Sequence, residues 1–316
     1  MELIFKILKH FMFLKKISQL VLIQLIKQSY LRKKINVFYN RMNFKEKKQF
    51  YSLFSEMFQN DSLGINGEWH VDFLDTTIWF NLSKENSWLE WNTALSILGH
   101  DIEIKETYEY LIKNGYIKCF FDIGANYGTH SLLFLSQNIQ TITFEPNTNC
   151  HKYFYNLLQN NNLKCQMESF ALGDKESIAK LMFPDKKTWL GKIQTVGNIV
   201  PNSNFNQNIL DVHITTIDLY LSNKHLIPDL IKIDTEGFEK FVLMGATSTI
   251  EKYKPFVIFE CNPEERDAIF EIMNKIDYSI YYLPFRSFSS QKITKELFIK
   301  CRLNNFIAIH TTKLKL

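Results

Sequence analysis

From Glu103 onward, short apolar runs alternate with stretches of helical spacing, and this rhythm carries the prediction of the fold. Glu103 to Asn114 has helical spacing and stops at Gly115. Cys119-Phe-Phe-Asp-Ile123 is a continuous apolar run, as expected of a strand buried on both faces. Thr129 to Leu135 reads as helix, Gln140 to Phe144 as a second strand, and His151 to Gln159 as a second helix. Asn160-Asn-Asn162 is a loop, and Lys164 to Phe170 a third strand. Thr216 to Leu221 is a short helix, Leu230 to Asp234 a fourth strand, and Phe238 to Met244 helix again. Pro255 to Glu260 is a fifth strand followed by a helix from Glu264 to Lys275. Tyr278 to Leu283 and Phe306 to His310 are the last two strands. Repeated β-α units of this kind predict an α/β fold, with a mainly parallel sheet covered by helices.

The pattern before Glu103 is different. Residues 1–58 read as a basic, amphipathic helical extension. Residues 59–100 read as a short β-rich lead-in, opened by Gly64 and Gly67 and carrying an alternating run from His70 to Phe80. The main domain is expected over 101–316, with an insertion or lid at about 177–212 that is irregular and rich in Asn, Pro and Gly. Trp189 and Phe205 lie in that insertion and suit either stacking on a sugar face or packing of the lid.

Composition adds bounds. Apolar residues make up 46% and charged residues 22% of the 316, a globular balance. The net charge of +4 is small and much of the excess sits near the N-terminus, so nucleic acid is not the expected partner. Cys119, Cys150, Cys165, Cys261 and Cys301 form no CxxC pair and no zinc-finger spacing, which fits reduced thiols and a cytoplasmic location. In residues 1–34 the longest charge-free run, Ile17 to Ile26, falls short of the ~20 residues that span a bilayer. Lys6, Lys9, Lys15, Lys16 and Lys27 would let this segment lie at the inner face of a membrane. The plainer reading packs it on the main domain or on a second subunit, which would make a homo-oligomer.

The chemistry gathers at the strand ends. Asp122-Ile-Gly-Ala-Asn-Tyr-Gly128 ends the first strand, and its glycines let backbone turn tightly and approach a ligand. The next helix aims its first N–H groups at that place, which favours an anionic group such as the carboxylate of an amino-acid moiety. Asp122 suits the ammonium of the same moiety. Glu145 ends the second strand roughly twenty residues on, where an acid accepts from both ribose hydroxyls, and Pro146 fixes the turn. A dinucleotide site would need glycine at the position of Asn126 to admit a pyrophosphate. Asn126 crowds a pyrophosphate but can hydrogen-bond the smaller methionine end of S-adenosylmethionine.

The ordered set of blocks resembles a known family. Asp122 to Gly128 and Phe144-Glu-Pro146 look like the first motifs of class I methyltransferases. Phe170-Ala-Leu-Gly-Asp174, Thr216-Ile-Asp-Leu-Tyr220, Asp229 to Glu239 with Met244-Gly-Ala246, and Pro255 to Glu260 resemble FkbM methyltransferases. The resemblance implies a Rossmann-like, seven-stranded sheet with helices on both faces, and S-adenosylmethionine as methyl donor. It also implies O-methylation of a hydroxyl on a sugar, glycan or small natural product. By position, Asp122, Gly124, Ala125, Asn126 and Gly128 would hold the methionine end, and Glu145 with Pro146 the ribose. Phe170 and Ala171 would lie beside the adenine, and Asp234 next to the sulfonium.

A sugar hydroxyl is a poor nucleophile, so a base or a metal would help. Asp234, Glu236 and Glu260, at the carboxyl edge, are the candidate catalytic acids. Their plainer reading, and the favoured one for Glu239, is that they cap the Gly237 turn and the helix after it. His213 and His225 are weaker candidate bases. A hard divalent ion is compatible with the acids, and the sequence does not choose. Three other readings compete: a methyltransferase acting on RNA or protein, an inactive membrane-associated binding module, and a nicotinamide oxidoreductase. The acidic Asp234-Thr-Glu-Gly block, which would repel phosphates, speaks against the first.

Overall fold

The computed structural model describes residues 20–21, 24–58, 67–82, 99–184, 191–194 and 207–315. It divides into Met1–Ile102 and Glu103–Leu316. The expected membrane-facing lysines Lys6, Lys9, Lys15 and Lys16 lie outside the described residues, while Lys27 is exposed. Among the described residues no helix is long and apolar enough to cross a membrane.

In the N-terminal unit, helices α1 (Ser29–Asn40) and α2 (Phe44–Phe58) precede a hairpin of β1 (Gly67–Phe73) and β2 (Thr76–Leu82). The hairpin buries one face, because the register pairs Trp69 with Phe80 and Val71 with Ile78, and all four are inside. Buried Arg32 of α1 donates to the Ile26 carbonyl at 2.8 Å and to that of Glu68 at 3.2 Å, linking helix to hairpin.

The larger unit holds α3 (Ile102–Lys113), β3 (Cys119–Ile123), α4 (Thr129–Ser136), β4 (Gln140–Phe144), α5 (Thr148–Asn160) and β5 (Met167–Glu168). There follow β6 (Ala171–Leu172), β7 (Ser177–Pro184), β8 (Lys192–Gln194), β9 (Gln207–Thr215), α6 (Ile217–Leu221) and β10 (Leu230–Ile233). The chain ends with α7 (Glu239–Met244), α8 (Thr247–Tyr253), β11 (Phe256–Glu260), α9 (Arg266–Lys275), β12 (Tyr278–Tyr282), α10 (Lys295–Lys300) and β13 (Asn305–His310). Seven strands form one sheet in the order β12-β13-β11-β10-β3-β4-β5. The pairs from β11 to β5 are parallel, and β13 alone runs antiparallel to both neighbours. Every residue of β3 is buried. Phe120 stacks on Phe134 of α4 at 3.9 Å and meets Tyr108 of α3 edge-on, while Cys119, Phe121 and Ile123 join the opposite core with Val242, Ile250 and Met273. The alternation along one strand therefore buries a helical layer on each face.

Two expectations are corrected here. The third strand is only Met167–Glu168, because the chain leaves the main sheet and Ala171–Leu172 pairs with β9 instead. The described residues of the expected irregular insertion join a second sheet, β6-β9-β7-β8, in which Ser177 to Pro184 pairs antiparallel with Gln207 to Thr215. Its polar content misled the reading by composition. Ala179, Leu181 and Phe183 alternate inward between exposed Lys180 and half-buried Met182, which is the period of a half-buried strand. Trp189 and Phe205 lie outside the described residues.

Candidate active site

The loop after β3 is a sequence of left-handed turns. Gly124, Asn126 and Gly128 have φ of +74°, +52° and +70°. The N–H groups of Gly124 and Ala125 both donate to the Phe144 carbonyl at 3.0 Å, and Gly128 N donates to the Ala125 carbonyl at 2.8 Å. Asparagine is among the few residues that tolerate positive φ. Asn126 N donates to Glu145 Oε2 at 2.8 Å, and its side-chain oxygen lies 3.3 Å from the Cys150 thiol. Asn126 therefore has two structural duties besides the ligand contact expected of it.

Asp122 does not face the loop's open side. It is fully buried, because its place on β3 turns it toward α4. Its Oδ2 accepts from Ser131 N at 2.9 Å and Ser131 Oγ at 2.7 Å, which anchors the first turn of α4. Its Oδ1 lies 4.0 Å from the ammonium of Lys232. Burial pushes the Asp122 carboxyl up, against the opposing pull of Lys232 and Ser131. The expected pairing with a ligand ammonium gives way to this internal role.

Glu145 stands just past β4 with 8% of its surface exposed. Its oxygens accept from Asn147 N at 2.7 Å and Asn126 N at 2.8 Å. An ionised carboxylate offers about four acceptor positions, so two remain after these bonds. Burial raises its pKa to about 7 despite those backbone bonds. Half-buried Pro146 follows. Phe170 packs its ring against Phe144 and Tyr220, at 5.8 and 5.9 Å, and Tyr220 donates its hydroxyl to Glu168 at 2.9 Å. Ala171, expected beside a ligand, sends its methyl group into the core, so only its backbone is left for such a contact.

The three candidate acids do converge. Carboxylate oxygens of Asp234, Glu236 and Glu260, all half-buried, lie within 4.8 Å of one another. Asp234 N donates to the Ile123 carbonyl at 3.0 Å, and Asp234 Oδ2 accepts from Lys232 Nζ at 2.9 Å. Glu236 and Gly237 make the turn with φ of +57° and +102°. Buried Glu239 accepts from Thr235 N at 2.7 Å and from Gly237 N at 3.1 Å, so it is the cap it was expected to be. Burial, then the charge of Asp234, lifts Glu260 to about 8, and the same two causes raise Glu236. His213 is exposed on β9 and lines a separate recess with Phe170 and Ile178, and His225 is exposed before β10. Neither joins the acids. Lys232 and Ser131 are the residues that sequence reasoning passed over. A lysine inside the apolar run Leu230-Ile-Lys-Ile233 was the available signal, since a buried ammonium needs partners.

The glycine loop packs against the backbone at the end of β10. A Cβ added to Gly124 would lie 1.8 Å from the carbonyl oxygen of Asp234 and 3.3 Å from Thr235 Cγ2. The glycine loop, Glu145 and the acid cluster therefore follow β3, β4, β10 and β11 at the carboxyl edge of the parallel strands, where such sheets bind ligands.

The raised carboxyls have a consequence for stability. Glu145 and Glu260 have folded pKa values of about 7 and about 8, above their ordinary 4.5. Between those limits the folded state binds more protons than the unfolded chain, so their stabilisation is present at low pH and lost as pH rises. The melting temperature is expected to fall by roughly 5 °C between about pH 5 and about pH 8.5. Calorimetry of the wild type and of Glu260→Gln, which should flatten the decline, measures it.

The FkbM methyltransferase domain family matches residues 122–281, which begin at Asp122 and take in the loop, Glu145 and all three acids. Three solved structures are similar at low identity. An FkbM methyltransferase from Methylobacillus flagellatus KT matches at 14% identity, TM-score 0.39, covering 72% of this chain and 54% of that one. A precorrin-6y C5,15-methyltransferase from Geobacter metallireducens GS-15 matches at 11%, TM-score 0.35, covering 67% and 87%. A Pyrococcus abyssi tRNA (uracil-54, C5)-methyltransferase in complex with S-adenosyl-L-homocysteine matches at 10%, TM-score 0.33, covering 77% and 43%. The chain thus spans about half the length of the first of these. No curated protein matches it. With half of its length matched, the chain belongs to the FkbM methyltransferase domain family.

Proposed function

We propose that the chain uses S-adenosylmethionine to O-methylate a hydroxyl of a sugar, glycan or small natural product. The observation that carries this reading is the contact of Gly124 with the Asp234 carbonyl, which brings a donor-type loop and an acceptor-type acid cluster to one place. The residues fit the donor. The turns at Gly124, Ala125, Asn126 and Gly128 and the N-terminus of α4 would hold its amino-acid end, with Asp122 behind them as anchor. Glu145 has two acceptor positions left for two ribose hydroxyls. Pro146 shapes that turn, and Phe170 with the backbone at Ala171 would flank the base. Bound there, the donor supplies a methyl group activated by sulfonium.

The chain's own task is alignment, exclusion of water and management of one proton. Asp234, bonded to an ammonium, is the acid suited to take that proton. Glu260 carries its own proton at neutral pH and, with Glu236, would orient the acceptor. The three carboxylates are also a donor set that a hard divalent cation could use. Acids at this position disfavour a phosphate-rich acceptor, which supports a glycan or small molecule over nucleic acid. Five free thiols support a cytoplasmic site of action.

The experiment is incubation with methyl-labelled S-adenosylmethionine and cell extract, followed by identification of the labelled product. Label on a hydroxyl oxygen of a glycan or small molecule is expected. Label on RNA or protein would overturn the acceptor class. Folded protein that takes up neither S-adenosylmethionine nor S-adenosylhomocysteine in calorimetry would overturn the donor.

A further inference from the structure

Lys232 is 2% exposed, in the middle of a strand whose residues are all buried. An ammonium there is costly unless opposite charge meets it. The parallel register sets Lys232 beside Asp122 of β3. It lies two residues before Asp234, and alternate residues of a strand share a face. Its ammonium lies 4.0 Å from Asp122 Oδ1 and 2.9 Å from Asp234 Oδ2. A counter-ion serving only the fully buried Asp122 would sit closest to that acid. The shorter bond runs outward instead, to the half-buried Asp234. The acids that act on Lys232 are Asp122 on β3 and Asp234 and Glu236 after β10, with Glu260 at the end of β11 next to Asp234. Ser131 of α4 holds the far oxygen of Asp122.

We propose that Lys232 is a positioning residue for methyl transfer. Its ammonium fixes and orients the Asp234 carboxylate for the acceptor's proton, and ties that acid to the strand carrying the donor loop. The acceptor oxygen gains the methyl group as the methyl–sulfur bond breaks and the donor leaves as its neutral thioether, S-adenosylhomocysteine; the acceptor's O–H bond breaks and its proton passes to Asp234. This rests on the methyltransferase site described above.

The test uses the full chain, labelled S-adenosylmethionine at saturation, cell extract as acceptor source, and S-adenosylhomocysteine for calorimetry. In Lys232→Met the labelling rate at neutral pH and saturating donor should fall about tenfold or more, while S-adenosylhomocysteine affinity stays within about threefold. Lys232→Arg, which keeps the charge, should restore most of the rate. In an Asp234→Asn background Lys232→Met should add no further loss, because its effect runs through that acid. Should Lys232→Met not fold, with Asp122 left uncompensated, the double Asp122→Asn/Lys232→Met removes both buried charges and the rate is read there. A wild-type rate in a folded variant lacking Lys232 overturns the proposal, as does a rate loss that only follows donor affinity. Wild-type protein without S-adenosylhomocysteine uptake would instead overturn the site itself, and this role with it.

Discussion

Gly124→Ala is expected to abolish S-adenosylhomocysteine binding, with at least a hundredfold loss of affinity by calorimetry. Two costs coincide at this position. The backbone has φ of +74°, which costs an L-residue about 1–2 kcal/mol. The new methyl group would also sit 1.8 Å from the Asp234 carbonyl oxygen, where no atom fits. Backbone cannot step aside as a flexible side chain can, so either the glycine loop or the end of β10 must move. The Gly124 and Ala125 bonds to the Phe144 carbonyl tie that loop to β4, so its displacement also disturbs the approach to Glu145. Gly115→Ala is the control. Gly115 has φ of +70° but nothing within 4 Å of an added Cβ, so it should lose some stability and keep binding. Equal binding losses in both variants would show that strain alone matters and would remove the contact between the loops from the argument.

The same particulars explain what could be read from the chain beforehand. β3, β10 and β11 are apolar runs, β10 interrupted by Lys232, and β4 is a threonine-rich one; closed by Gly, Asp, Asn-Pro and Glu-Pro, they lie where that pattern puts them. The second sheet was hidden because β7 and β9 interleave lysine, aspartate and asparagine with inward-facing apolar residues, so composition masked a period of two. The short β5 could not be inferred locally, since pairing with β9 some forty residues later draws Ala171 away. The placement of the glycine loop, Glu145 and the three acids at strand ends is legible, because the residues that close apolar runs are polar and turn-forming. The orientation of Asp122 was not, for it depends on which face of β3 receives α4. Asn126 shows the same ambiguity: one residue answers both a backbone need for positive φ and a ligand's need for a donor, and sequence cannot separate them.

Asp234→Asn is expected to lower the labelling rate at saturating donor by about 10²–10⁴-fold, with S-adenosylhomocysteine affinity within about threefold of wild type. The asparagine oxygen can still accept from Lys232, so the buried ammonium keeps a partner and the fold persists. What is lost is the capacity to take a proton. The residual rate has a diagnostic pH dependence. Burial first, then the charge on Asp234 and the hydrogen bond to it, raises Glu260 to about 8. Without that charge the Glu260 carboxyl titrates lower, and, grouped with Asp234 and Glu236, it becomes available as base. The rate of Asp234→Asn should therefore rise with pH through a limb below 8, and adding Glu260→Gln should erase that limb. A folded Asp234→Asn enzyme with the wild-type rate at every pH would take Asp234 out of the mechanism. Proton removal would then fall to another group, or the acceptor would be one that needs no base.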